Sequence, residues 1–186
     1  MAADWNALGW AAALGAAALL LVGILLYNRL VADRNLVRQG FADIDVQLKR
    51  RADLVPQLVE TVRGYAAYEK GVLGAVVALR ASALAAKPLV ERFQHEHALG
   101  ERLQQLVLLQ ENYPQLKADA VFRDLSARLV EIEDHLQHAR RFYNGAVQQY
   151  LTHSQAFPGV IVAHLWRFEP TPFFETSERQ AVQVAL

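Results

Sequence analysis

HEHAL, residues 95–99, opens as a zinc-protease helix does, with a histidine followed by a glutamate that could serve as general base. That motif needs a second histidine four residues after the first, and Leu99 stands there instead. A di-iron bundle site needs a glutamate three residues before a histidine on an inward face; His95, His97, His135 and His138 all lack one. His135 and His138 also flank the apolar positions Ile132, Leu136 and Ala139, which reads as a solvated helix face. The chain has no cysteine, so thiolate metal sites, cysteine nucleophiles and disulfides are excluded together. Neither a phosphate-binding glycine loop nor a nucleophile, base and orienting group can be assembled from the spacing. The expectation is a protein with no catalytic residue, no metal ligand and no cofactor.

The remaining cluster with chemical potential is Asp45, Lys49, Arg50, Arg51 and Asp53, followed by Pro56. Asp45 and Lys49 are spaced for a surface ion pair along one helix. Arg51 differs, because the apolar periodicity places it near the seam, where a buried guanidinium requires a carboxylate or carbonyl partner and could fix helix register. A contact with a partner or with lipid is the competing reading of the same residue.

These residues must be positioned by long helices, since glycine and proline are sparse. The 19 basic and 19 acidic residues balance, which removes any bulk electrostatic reason to bind nucleic acid. From Trp5 to Asn28 no side chain is charged, and Ala7 to Leu26 supplies the roughly 20 residues needed to cross a bilayer as a helix. Trp5 and Trp10 on one side and Tyr27 and Arg29 on the other are the candidate membrane-flanking residues. A cleaved signal peptide is the alternative, but Asp4 stands where a cationic start is expected and no small-residue cleavage pattern follows Leu26. Arg29, Arg34 and Arg38 follow the span, so the positive-inside rule keeps the C-terminal side cytoplasmic, and in a bacterium the membrane is the inner one.

Beyond Leu30, Val37, Phe41, Ile44, Leu48, Val55, Leu58, Val62, Tyr65, Val72, Val76 and Leu79 keep one register, with Arg34, Arg51 and Glu69 as charged exceptions. The register holds across Pro56, which predicts one helical path kinked at the proline; the alternative is a fresh helix capped by Asp53 with Pro56 in its first turn. A break is expected at Ala86–Pro88, another at Tyr113–Pro114, and Asp119 is a candidate N-cap for the run Phe122 to Tyr150. The fold expected is all-α: an N-terminal transmembrane helix, then an antiparallel bundle of long helices. The boundaries are an anchor over 1–28, a bundle over 29–168 and a loose tail over 169–186. FPGVIVAHLWRF, residues 157–168, reads either as a lid over one end of the core or as a contact segment in which Trp166, Phe168, Phe173 and Phe174 touch lipid headgroups or a partner.

YNRLVADRN (27–35), IDVQLKRRADLVPQLVETVRGYAAYE (44–69), YPQLKAD (113–119) and RRFYNGAVQQY (140–150), in that order after an apolar helix, resemble the LemA family. The resemblance implies a four-helix bundle on a single membrane helix and implies no enzymatic mechanism. It departs at Gln57, Tyr68, Asp119 and Leu151 from the family's usual residues. The function expected is a non-enzymatic, membrane-anchored scaffold or adaptor that self-associates into a homo-oligomer or recruits other membrane proteins. The alternative is a regulatory partner of a membrane protease in membrane stress and protein quality control.

Overall fold

The apolar periodicity folds as helix throughout. The structure, a computed structural model, describes residues 2–66 and 69–174, with side chains from Gly9 onward. Among the described residues there is no strand. The helices are α1 (Ala2–Tyr65), α2 (Lys70–Ala85), α3 (Leu89–Leu108), α4 (Pro114–Ala118), α5 (Ala120–Gln155) and α6 (Gly159–Leu165), with a 3-10 turn over Leu109–Glu111. The chain divides into two compact units, one of Met1–Gln39 with Asn144–Thr171, the other of Gly40–Tyr143 with Pro172–Leu186.

In the first unit the N-terminal part of α1 is long and apolar enough to cross a membrane. Among the described side chains, the large ones from Trp10 to Leu25, including Leu14, Leu19 and Leu20, stand exposed. Covering begins at the end of the charge-free stretch, where Leu26 and Tyr27 are half-buried and Leu30 is buried. α6 ends in a Schellman motif: Phe168 N–H donates to the Ala163 carbonyl at 2.9 Å and Arg167 N–H to that of His164 at 3.4 Å. Arg167 takes the left-handed position, φ 52°, that glycine most often fills. The chain expected to be loose from residue 169 is held further: the Tyr150 hydroxyl donates to the Glu169 carbonyl at 2.8 Å. Residues 175–186 of that tail lie outside the described residues.

In the second unit the core is one cluster running from Leu54, Val55, Leu58 and Val62 of α1 through Leu73 and Val76 of α2 and Leu99, Leu103 and Leu106 of α3 to Phe122, Leu125 and Leu129 of α5. Each such side chain contributes about 1.5–3 kcal/mol when buried. Gly40 permits close approach of α1 to α5, since a Cβ there would lie 3.0 Å from the Tyr143 Cα. The Tyr143 hydroxyl donates to the Pro172 carbonyl at 2.8 Å, so the tail is also tied down here.

Pro56 lies inside α1, and the helix runs through it without interruption to Tyr65. A fresh start at Asp53 is therefore wrong; Asp53 is an exposed residue within the helix. The expected single path to Leu79 is also corrected, because the chain breaks after Tyr65 and α2 starts at Lys70. Periodicity missed this break because both helices face the same core and keep the same phase; Gly64 and Gly71, poor helix formers, bracket it.

A proline inside a helix strips the carbonyl four residues back of its N–H partner. That carbonyl belongs to Ala52, which is 5% exposed, and Arg80 Nε of α2 donates to it at 2.7 Å. The gap left by the proline is thus filled by a neighbouring helix. Asp119 does cap α5, accepting from the Phe122 N–H at 2.8 Å, and its other oxygen accepts from the Tyr65 hydroxyl at 2.7 Å. Those two bonds, the backbone one first, hold the Asp119 carboxyl below its ordinary range.

Two outcomes follow, both read by urea unfolding of the full chain in micelles with circular dichroism. Arg80→Met should cost about 1–3 kcal/mol, the price of a buried carbonyl left bare. The same change in a Pro56→Ala background should cost less, because the new N–H at 56 reaches Ala52; a coupling below about 0.5 kcal/mol would refute the exchange. Asp119 is depressed in the folded state, so its stabilisation is present above the ordinary carboxyl range near pH ~4 and is lost as pH falls through its lowered value. Asp119→Asn should keep the cap and flatten that acid-dependent loss, whereas Asp119→Ala should lower stability at neutral pH as well.

Candidate functional site: a buried arginine beneath a groove

Arg51 is fully buried on α1. Its Nη1 donates to Glu133 Oε1 of α5 at 2.8 Å, and its Nη2 donates to the Glu96 carbonyl of α3 at 2.7 Å and to the Glu96 carboxylate. One guanidinium therefore joins three helices. Gly100 makes the space, since a Cβ there would stand 3.1 Å from Arg51 Nη1. Arg140, also buried, lies with its guanidinium 4.4 Å over the Phe174 ring, and burial together with the Arg51 charge pushes it down to about 10 against the opposing pull of Glu133 and Glu96. Tyr143 nearby in the chain is pushed up to about 12 by burial.

Above these residues α3 and α5 leave a groove of about 670 Å³. Its apolar lining includes Leu103, Val107, Leu108, Leu129 and Val130, of which Leu108 is 58% and Val130 60% exposed. Glu101, Glu133 and Asp134 give it an acidic border. Arg51, Glu133 and Arg140 also line it, and Arg51 is engaged by Glu96 and Glu133, so this ion pairing ties the helices together.

The first unit carries its own polar cluster. Asp33, buried on α1, accepts from Gln149 Nε2 at 2.6 Å and pairs with His153 Nδ1 at 2.6 Å, while Arg29 Nη2 lies 2.7 Å from His153 Nε2. A guanidinium can only donate. His153 therefore accepts at Nε2 and gives its Nδ1 proton to Asp33. This resembles the orienting half of a catalytic triad, with an arginine where the nucleophile would be.

The candidate residues from the sequence fall out as follows. Arg51 takes the buried, register-setting place. Asp45 bonds Arg92 of α3 at 2.5 Å and not Lys49, because α3 brings a cation across the helix interface; Lys49 and Arg50 are exposed. Of the flanking aromatic residues, Trp10 is 73% exposed, Tyr27 packs against Trp166 and Phe168, and the Trp5 side chain lies outside those described. Of the C-terminal aromatic set only Trp166 stands half in the open: Phe168 is buried beneath Arg34, Phe174 is buried on Phe93, and Phe173 is half-covered. Of the four histidines of the failed motifs, three sit near a glutamate of their own helix, His95 by Glu91 at 3.6 Å, His97 by Glu101 at 3.7 Å and His135 by Glu131 at 3.6 Å, while His138 Nδ1 lies 2.8 Å from Arg141 Nη2.

Glu96, Glu133, Arg140, Asp33, His153 and Arg80 were missed. For four of them a signal was present. Glu96 sits midway between Phe93 and Leu99, Glu133 follows Leu129 by four, Arg140 links Leu136 to Tyr143, and Asp33 links Leu30 to Val37, all on apolar helical spacing. A charged residue on the apolar stripe is the mark of a buried pair.

Removing Arg51 should strand two glutamates, so Arg51→Ala is expected to lose about 3–5 kcal/mol. Gly100→Ala is the finer check. Alanine in an exposed helix interior normally gains about 0.5–1 kcal/mol over glycine, and Gly74→Ala, with open space around it, should show that gain. Gly100→Ala should show none and instead lower stability; equal gains at both sites in denaturant unfolding would contradict the packing of Gly100 on Arg51.

The family model described as LemA family matches residues 40–186. Three of the four characteristic stretches fall inside that span, and the stretch at 27–35 precedes it. No curated protein matches the chain. Because the family match covers most of its length, the chain belongs to the LemA family.

Proposed function

We propose that this chain is a non-enzymatic, membrane-anchored helical adaptor that recruits other membrane proteins through the groove between α3 and α5. The anchor is residues 7–26, with the C-terminal side cytoplasmic as Arg29, Arg34 and Arg38 indicate. The helices form an antiparallel four-helix bundle of α1, α2, α3 and α5. Pairings support that arrangement: Asp45 with Arg92 and Arg51 with Glu96 advance together along α1 and α3, whereas Gly40 with Tyr143 and Arg51 with Glu133 run in opposite senses along α1 and α5.

The observation that carries the function is the groove itself, with exposed Leu108 and Val130 on its apolar lining and Glu101 and Asp134 on its border. Such a lining accepts the apolar face of a helix. Its acidic border selects a helix with basic flanks, and segments of membrane proteins next to the bilayer on the cytoplasmic side are enriched in lysine and arginine. Arg51 and Glu133, which line the groove, are engaged with each other, which favours binding over catalysis. A role beside a membrane protease through the aromatic C-terminal segment has less to work with, since Phe168 and Phe174 are buried.

The test uses the full chain in nanodiscs and a fluorescent amphipathic peptide with leucines at helical spacing and lysine flanks. Binding should fall at least about tenfold, about 1.4 kcal/mol, with Leu108→Asp or Val130→Asp. Glu101→Lys with Asp134→Lys should weaken it and reduce its salt dependence. Equal binding of a glutamate-flanked peptide would refute the reading. Concentration-dependent association of the chain with itself, abolished by Leu108→Asp, would assign the groove to a second copy.

A further inference from the structure

We propose that α6 and its flanking residues lie in the headgroup layer of the same bilayer that the N-terminal helix crosses, forming a second, interfacial contact with lipid. The proposal rests on the reading of residues 7–26 as a membrane span. α6 buries Gly159, Val162 and Ala163 and turns Val160, Ile161 and Leu165 outward. Phe157 before it is 82% exposed and Trp166 after it 51%. Five large apolar side chains within ten residues are thus left uncovered on one short segment, a patch that calls for an occupant.

The occupant is indicated by height. The Trp166 ring centre lies 5.5 Å from that of Tyr27, and the Phe168 ring centre 5.7 Å from it. Tyr27 directly follows Leu26, the last residue of the apolar stretch. A ring in contact with the final turn of a membrane helix is at the depth where tryptophan and tyrosine concentrate, within the roughly 5–10 Å that interfacial helices penetrate. Farther along α1 the packing turns ionic, with Arg29 and Asp33 both engaging His153. Apolar contacts therefore stand at the span's end and charged ones beyond it. Exposed His164 and Arg167 flank the patch and suit a phosphate-bearing surface. Gly159 keeps the segment folded against α5, since a Cβ there would lie 2.0 Å from the His153 carbonyl oxygen.

The experiment places single-tryptophan versions of the full chain in vesicles of phosphatidylcholine and phosphatidylglycerol. One keeps Trp166 with Trp5→Phe and Trp10→Phe; the other keeps Trp10 with the remaining two replaced. Lipids brominated near the headgroup should quench Trp166 at least about twofold more than lipids brominated near the chain end, and acrylamide should reach it less than free tryptophan. Ile161→Asp with Leu165→Asp should remove most of that quenching while leaving Trp10 quenched. A Trp166 that ignores both bromolipids and is open to acrylamide overturns the proposal. So does one shielded from all three quenchers, which would mean that a protein covers the face. Failure of Trp10 to be quenched would instead defeat the span reading, and shallow quenching of Trp166 in that case would still support interfacial docking.

Discussion

A guanidinium taken out of water loses several kcal/mol of solvation unless its donors are met, and this requirement at Arg51 organises the second unit. Two partners are needed because the planar fork presents donors on two sides. Glu96 of α3 and Glu133 of α5 supply them, so neither helix can slide along α1 by even one residue without stranding a charge. Gly100 is the steric counterpart, since the fork passes where a side chain would otherwise be. Apolar side chains hold the helices together; the ion pairs decide at which register.

The same logic of an obligatory group finding a neighbour recurs at Pro56. A proline is tolerated inside α1 because the carbonyl it frees is met by Arg80, which also ties α2 to α1 through a directional bond that leucine packing cannot provide. At the far end of the unit, Asp119 serves two donors, one from its own helix and one from Tyr65. Pro56 with Arg80 and Asp119 with Tyr65 thus add polar contacts where the hydrogen-bonding pattern or the chain direction changes. In the first unit Asp33 has the comparable part, with Gln149 and His153 from α5 as its partners.

This economy of charge bears on function. In the second unit Arg51, Glu96 and Glu133 are occupied in fixing helix register, and the groove beside them turns apolar surface and a border of carboxylates toward solvent. Such a surface can discriminate among helices by charge and by spacing. A second exposed apolar surface, on α6, stands beside the end of the long apolar stretch of α1, through the contact of Trp166 with Tyr27.

The sequence by itself determined what depends on local pattern. The apolar N-terminal helix, the breaks at Ala86–Pro88 and Tyr113, the Asp119 cap and the inward faces of α1, α3 and α5 follow from periodicity and from residues with strong backbone preferences. It also marked Arg51 as misplaced for a surface residue. Who answers Arg51 was decided only by tertiary structure, because Glu96 and Glu133 are 45 and 82 residues away and no local spacing joins them. The same holds for Arg80 reaching Ala52 and Arg92 taking Asp45 from Lys49. The break after Tyr65 escaped for a related reason: a chain that turns back into the same core keeps its apolar phase, so periodicity reads two helices as one. Pairing across a core depends on which helices lie side by side, and that is fixed only when the whole chain packs.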